Sequence, residues 1–211
     1  MVSSIATSVL STSSKFETES QPFAAVSVNA IDAGAEYNYY SGDITRTFPV
    51  NGQFNKAQLE VYNHVLRIQK EMIEMVKPGV PFQQFHDKAT ELLTDAMLDL
   101  GLLSGKRSDI ISSRQHVKYY PHVLGHYLGM DVHDSGKYRV NGEPRPIEPG
   151  MTFTVEPGLY IPAHDQSAPA EFRGIGIRIE DNVLVTSQGC EVMSKAAPKE
   201  VADLEKIVGK G

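Results

Sequence analysis

The sequence is short of several things, and each shortage excludes a class of protein. Its 211 residues include one cysteine, Cys190, so neither an internal disulfide nor an all-thiolate metal site can form. A single thiol suits a reducing compartment. No apolar run approaches the roughly 20 residues that a helical membrane span needs, so no membrane association is expected. No basic block of five or more residues occurs. Twenty Lys and Arg against 26 Asp and Glu give a formal charge of −6, and no nucleic-acid partner is expected. Internal repeats are absent as well. The remaining composition, 41% hydrophobic and 22% charged, excludes a wholly disordered chain, a collagen and a coiled coil. The length suits one domain or two small ones.

Residues 1–25 read as a disordered N-terminal segment, because ten of the first twenty are Ser or Thr. The alternative is a mitochondrial transit peptide. Such peptides are Arg-rich and poor in acids, whereas this stretch has Lys15, Glu17 and Glu19 and no Arg. From Val26 to about Phe48 the pattern predicts two strands joined by a tyrosine-rich loop. Val26, Val28, Ala30 and Asp32 share one parity; Asp43, Thr45 and Thr47 share another. Asn55 with Gln58 three residues on has capping-box spacing. The stripe Leu59, Tyr62, Leu66, Ile73, Val76 then predicts a helix that stops at Lys77-Pro78-Gly79. A second helix is predicted from near Pro81, carrying Phe82, Phe85, Ala89, Leu92, Leu93, Ala96 and Leu100 to Gly101. Both stripes read as core packing. Beyond residue 115 short strands alternate with Gly- and Pro-rich loops, and a Val201, Leu204, Val208 spacing predicts a closing helix.

Four acids stand in unusual surroundings. Asp32 ends a Val-rich strand, Asp43 opens the strand that continues Ile44-Thr45, Glu156 closes Met151–Val155, and Glu180 closes Gly174–Ile179. A carboxylate in an apolar strand is costly unless it is paired with a cation or a metal. Any one of them could be an edge-strand acid facing water or half of a salt bridge. Together they suggest one shared site, where the charge of two divalent cations balances that of four carboxylates. Period-two alternation puts Glu156 on the face of Thr152 and Thr154, and Glu180 on the face of Arg178.

Three of the seven histidines, His122, His126 and His133, fall within twelve positions. His122 and His126 have the spacing of a zinc-protease helix, but that motif needs Glu immediately after the first histidine and Val123 stands there. The glycines at 125 and 129 also argue against a regular helix. His64, His86, His116 and His164 are isolated and read as exposed or structural. Carboxylate oxygens with one imidazole suit Mn²⁺, and less decisively Co²⁺ or Zn²⁺. Paired ions of this kind activate water for hydrolysis of an amide or ester.

Four stretches, DAGAEYNYYSGDITRTF, PHVLGHYLGMDVHD, EPGMTFTVEPGLYI and RGIGIRIEDNVLVT, occur in that order. They resemble the Xaa-Pro aminopeptidase (aminopeptidase P) branch of the pita-bread metallopeptidases, over about residues 28 to 205. The resemblance implies an α+β, creatinase/aminopeptidase-like fold, present in part, with a curved antiparallel sheet and flanking helices. It implies two Mn²⁺ ions held by Asp32, Asp43, His126, Glu156 and Glu180, with Asp43 and Glu180 bridging. Glu156 would also act as general base, His133 as the proton-shuttling, substrate-contacting histidine and His122 as a second substrate-side histidine. Arg178 would pair with the site carboxylates, and Tyr138 would line the pocket. The implied reaction removes an N-terminal residue that precedes proline, through a hydroxide bridging the two ions.

In this resemblance residues 26–211 correspond to the C-terminal portion of the catalytic domain. The family's separate N-terminal domain, early helices and strands, and upstream substrate histidine find no match. Unpaired strand edges are therefore expected, and with them a homo-oligomer or a complementing chain. The readings left open are a prolidase, acting on Xaa-Pro dipeptides, and a pita-bread module that binds without catalysis. A mitochondrial or cytoplasmic location is expected. Poor solubility or weak activity is expected of these residues in isolation; a soluble, fully active monomer would contradict that.

Overall fold

The structure is a computed structural model that describes residues 27–208. The Ser/Thr-rich segment 1–25 and Val26 lie outside the described residues. The chain begins with β1 (Val28–Ala33), a short hairpin of β2 (Glu36–Tyr37) and β3 (Tyr40–Ser41), and β4 (Ile44–Pro49). Helices α1 (Lys56–Met75), α2 (Phe82–Asp99) and α3 (Arg107–Ser112) follow. A second hairpin, β5 (Arg139–Val140) and β6 (Glu143–Pro144), precedes β7 (Thr152–Val155), β8 (Gly158–Tyr160), β9 (Gly176–Arg178), β10 (Asp181–Val185) and β11 (Cys190–Val192). Helix α4 (Val201–Ile207) closes the described chain. Among the described residues no helix is long and apolar enough to cross a membrane.

The two long helices form where the apolar spacing predicts them. The Asn55 side chain accepts from the Gln58 N–H at 2.9 Å, and the Gln58 side chain accepts from the Asn55 N–H at 2.9 Å. This reciprocal box satisfies two donors that the first turn cannot. Val61, Tyr62, Val65, Ile68 and Met72 are then buried on one face of α1. Phe82 and Phe85 of α2 meet Phe153 of β7 at ring distances of 5.1 and 5.7 Å, which fixes the helix pair against the strands. Gly79 has φ +92°, a left-handed turn that reverses the chain between α1 and α2.

Every named strand pair is antiparallel, but the sheet is divided into short ladders: β1–β4, β7–β10–β11, β8–β9 and the two hairpins. The breaks have local causes. Pro157 separates β7 from β8 and has no N–H for a ladder. Between β9 and β10 the Glu180 N–H turns to the Thr45 carbonyl at 3.1 Å. The Thr47 hydroxyl donates to the Arg178 carbonyl at 2.9 Å, tying β4 to the same segment. Along β4 the usual polarity is reversed: Thr45 and Thr47 are buried while Ile44 and Phe48 are only half-buried. The buried face of β4 is therefore built for polar contacts. Among the described residues β1 pairs only with β4, leaving its other edge without a strand, and Ile31 is 41% exposed.

Asn55→Ala removes the side-chain half of the α1 cap and is expected to destabilise the fold by about 1 kcal/mol. In urea titrations the midpoint should fall with an unchanged slope; an unchanged midpoint would show that the cap contributes nothing.

Candidate metal centre

The five carboxylate and imidazole residues expected to converge are brought together by four separate segments. Asp32 lies on β1 directly across from Thr45 of β4. Asp43 immediately precedes β4, and the two aspartates come close because the intervening hairpin folds back tightly. A Cβ on Gly34 would lie 1.8 Å from the Gly42 carbonyl oxygen, so only glycine fits there. His126 sits on an extended segment beside β7: the Thr154 N–H donates to the His126 carbonyl at 3.0 Å and the Glu156 N–H to the Leu124 carbonyl at 2.8 Å. Gly125 allows this approach, since a Cβ there would lie 1.9 Å from the Thr154 carbonyl oxygen. Glu156 and Glu180 occupy the two strand breaks.

Among the described residues three groupings have ligand atoms within 4.8 Å of one another: Asp32, Asp43 and Glu180; His126, Glu156 and Glu180; and Asp43, His126 and His133. Glu180 belongs to two of them. His126 Nε2 lies 3.4 Å from Asp43 Oδ2 and 3.3 Å from Glu156 Oε1. Its Nδ1 lies 3.0 Å from the Tyr127 carbonyl, which can only accept. Nδ1 therefore carries a proton; Nε2, when protonated, donates to the carboxylates, which raise its proton affinity against burial, and on losing that proton it presents the lone pair that a metal-ligating imidazole requires.

The supporting bonds orient each acid. Thr45 donates to Glu180 Oε2 at 2.5 Å, and Thr154 donates to Glu156 Oε1 at 2.9 Å. Arg178 Nη2 pairs with Asp32 Oδ2 at 2.5 Å, while Arg178 Nε donates to Thr45 at 2.9 Å and lies 3.9 Å from Glu180 Oε2. The predicted shared faces of Glu156 with Thr154, and of Glu180 with Arg178, are both present. Glu180 is 1% exposed, and its Oε1 is buried without a hydrogen-bond partner. A buried, unsatisfied carboxylate oxygen among other carboxylates is a strong demand for a cation.

The acid–base balance reports the same crowding. Burial, then the hydrogen bond that a protonated Asp32 donates to Asp43, raises Asp32 to about 6 against the pull of Arg178. Burial raises Glu156 to about 7, with Thr154 and His126 opposing. Glu180 is pushed well above the usual carboxylate range by burial and by the charges of Glu156 and Asp43. At Asp43 burial is outweighed by hydrogen bonds from His126 and Asp32, so its affinity for a proton falls. A pair of divalent cations fits this donor set of hard oxygens and one imidazole.

The remaining predicted residues lie around this cluster. His133 is exposed, its ring 4.1 Å from that of His126 and edge-on to it. His122 Nδ1 faces the Val123 carbonyl at 2.8 Å, and its Nε2 lies 2.8 Å from the Tyr160 hydroxyl. The first contact places the proton on Nδ1, so Nε2 accepts from Tyr160. Arg178 Nη1 in turn donates to the Tyr160 oxygen at 3.3 Å. Tyr138 lines a pocket of about 220 Å³ with Phe82, Gln83, His86, Val123, Gly125 and Arg139, none of them a carboxylate of the cluster. His64, His86, His116 and His164 fall outside the three groupings. Sequence reasoning passed over Tyr160, and it placed Thr45 on the face of Asp43 without giving it a role. Tyr160 shares the parity of Glu156 and Gly158, so alternation alone could have found it too.

The profile of metallopeptidase family M24 matches residues 2–187, and the chain belongs to that family. Its similarity is to Xaa-Pro aminopeptidases. The Haemophilus influenzae Xaa-Pro aminopeptidase is 46% identical over 178 residues, which are 84% of this chain and 41% of that protein. Pseudomonas aeruginosa aminopeptidase PepP superposes with a TM-score of 0.82 at 44% identity, over 85% of this chain and 40% of that one. Escherichia coli aminopeptidase P with the inhibitor Pro-Leu gives 0.81 at 40% identity, over 86% and 41%. The fold is the pita-bread fold of these structures, in the part shared with them. The chain thus spans about two-fifths of the length of these relatives.

Protons compete with cations for these ligands. Asp32 and Glu156 lose theirs near pH 6 and 7, so rising pH frees oxygens for metal. The increase in thermal stability on adding Mn²⁺ is expected to grow from pH 5.5 to 8. Melting curves with and without Mn²⁺ measure it, and a shift that is constant or shrinks over that interval would contradict the account.

Proposed function

We propose that this chain carries the metal-dependent chemistry of an Xaa-Pro aminopeptidase: hydrolysis of the bond between an N-terminal residue and a following proline. The observation that carries the reading is the convergence of Asp32, Asp43, His126, Glu156 and Glu180, with Glu180 Oε1 buried and unpartnered. Asp32, Asp43 and Glu180 would hold one divalent ion, and His126, Glu156 and Glu180 the other. Mn²⁺ suits this oxygen-rich set. When bound, such a pair acidifies a shared water and polarises the scissile carbonyl.

The chain's own residues account for the rest. Glu156, oriented by Thr154, takes the proton of the attacking water and delivers it to the leaving proline nitrogen. His133 stands at the exposed rim beside His126, where a ring N–H can donate to the developing oxyanion. His122 has both ring nitrogens engaged by Val123 and Tyr160. It therefore offers the substrate a fixed ring, not a mobile proton. Burial also pushes its proton affinity down, which keeps the ring neutral. Arg178 holds Asp32 and the Thr45–Glu180 pair in place.

An Xaa-Pro bond has no amide N–H, so a site acting on it needs a different handle. The relatives named for Xaa-Pro substrates and the Pro-Leu inhibitor in the Escherichia coli structure support proline in the second position as that handle.

The test is release of free amino acid from an Xaa-Pro-Xaa peptide by the Mn²⁺-loaded chain, compared with Glu156→Ala. Loss of a general base is expected to lower the rate by at least about 10²- to 10⁴-fold. Equal rates in the two proteins would remove Glu156 from the mechanism. Mn²⁺ binding with no peptide cleavage would reduce the chain to a metal-binding module.

A further inference from the structure

A second buried polar cluster lies directly behind Glu180, on the opposite face of β4. Arg46 follows Thr45, so its side chain leaves the strand away from the carboxylates. Its guanidinium uses all five N–H donors. Nη1 donates to the Glu180 carbonyl at 2.5 Å and the Thr45 carbonyl at 2.9 Å. Nη2 donates to Asp181 Oδ1 at 2.6 Å and the Ala197 carbonyl at 2.9 Å, and Nε to the Pro198 carbonyl at 3.0 Å. Asp181 is completely buried and accepts from Ser194 at 2.6 Å, Lys199 at 2.6 Å and Gln69 at 2.8 Å besides Arg46. The fork is thus fixed from every side.

This arrangement bears on the metal centre through one residue. The Glu180 N–H is held by the Thr45 carbonyl, its C=O by Arg46, and its Oε2 by the Thr45 hydroxyl. Glu180 sits at a strand break, where no ladder partner would otherwise hold its carbonyl. It is also the carboxylate shared by the two ion groupings, so its direction affects both. We propose that Arg46, oriented by Asp181, is a positioning residue for Glu180. It fixes the direction of the unpartnered Oε1 that would meet a cation. Lys199 touches Asp181 but makes no hydrogen bond to Glu180, and so contributes to stability alone. The inference rests on the ligand set proposed above.

The experiment compares Mn²⁺ binding by the full chain with that of Arg46→Gln, Arg46→Lys and Lys199→Met, using electron paramagnetic resonance of free Mn²⁺ and a melting curve for each. Arg46→Gln is expected to weaken Mn²⁺ binding about 10- to 100-fold, the usual effect of losing a residue that orients a ligand. Arg46→Lys keeps the charge beside Asp181 but cannot also span to the Glu180 carbonyl, and should weaken binding even if the Gln variant does not fold. Lys199→Met should lower the melting temperature and leave Mn²⁺ affinity at the parent value. Parent-like affinity in the folded Arg46 variants would overturn the proposal, as would equal weakening in Lys199→Met at the same loss of stability. A parent chain that binds no Mn²⁺ would overturn the ligand set itself, a result distinct from either.

Discussion

The constraint on which this structure depends is the crowding of four carboxylates into one partly buried space. Opposite Asp32, Asp43, Glu156 and Glu180 stand one guanidinium, from Arg178, and one imidazole, from His126. Two cationic groups cannot neutralise four anionic ones, and the shortfall is greatest at Glu180, where water is excluded. Without added charge the site retains protons, as the raised affinities of Asp32, Glu156 and Glu180 record. Divalent ions held by these residues would replace those protons and satisfy the vacant carboxylate lone pairs together.

The fold supplies that crowding by interrupting its own sheet. A continuous ladder would point successive side chains to alternate faces and spread the acids along a surface. Instead Pro157 ends one ladder next to Glu156, and the turn of Glu180 toward Thr45 ends another. Gly34 and Gly125 let backbones approach to distances that any Cβ would prevent. Among the described residues the long helices α1 and α2 add no member to the carboxylate cluster. Their role is to bury the apolar side of the strands, through Phe82, Phe85 and Phe153, so that the polar side is held rigid.

How much of this could be read from the sequence depended on the range of the interaction. The α1 cap is local, so Asn55 and Gln58 announced it. The clustered acids were legible because each stood in an apolar strand where an isolated charge is costly. Alternation assigned Glu156 to the face of Thr154, and Glu180 to that of Arg178, and the contacts agree. The division of the sheet into short ladders was not legible, since it depends on pairings between β4 and a segment more than a hundred residues away. Asp181 shows the limit most clearly. It is as buried as Glu180 and adjacent to it, yet it faces the opposite way and meets Arg46 and Lys199. Sequence marks two neighbouring acids; only the three-dimensional partners distinguish the one in the carboxylate cluster from the one that anchors Arg46 and Lys199.

Anomalous X-ray diffraction from crystals grown with Mn²⁺ tests the central claim most directly. The account predicts two manganese peaks flanking Glu180, one also reached by Asp32 and Asp43 and the other by His126 and Glu156. Peaks elsewhere on the protein, with Glu180 Oε1 still lacking a partner, would contradict it.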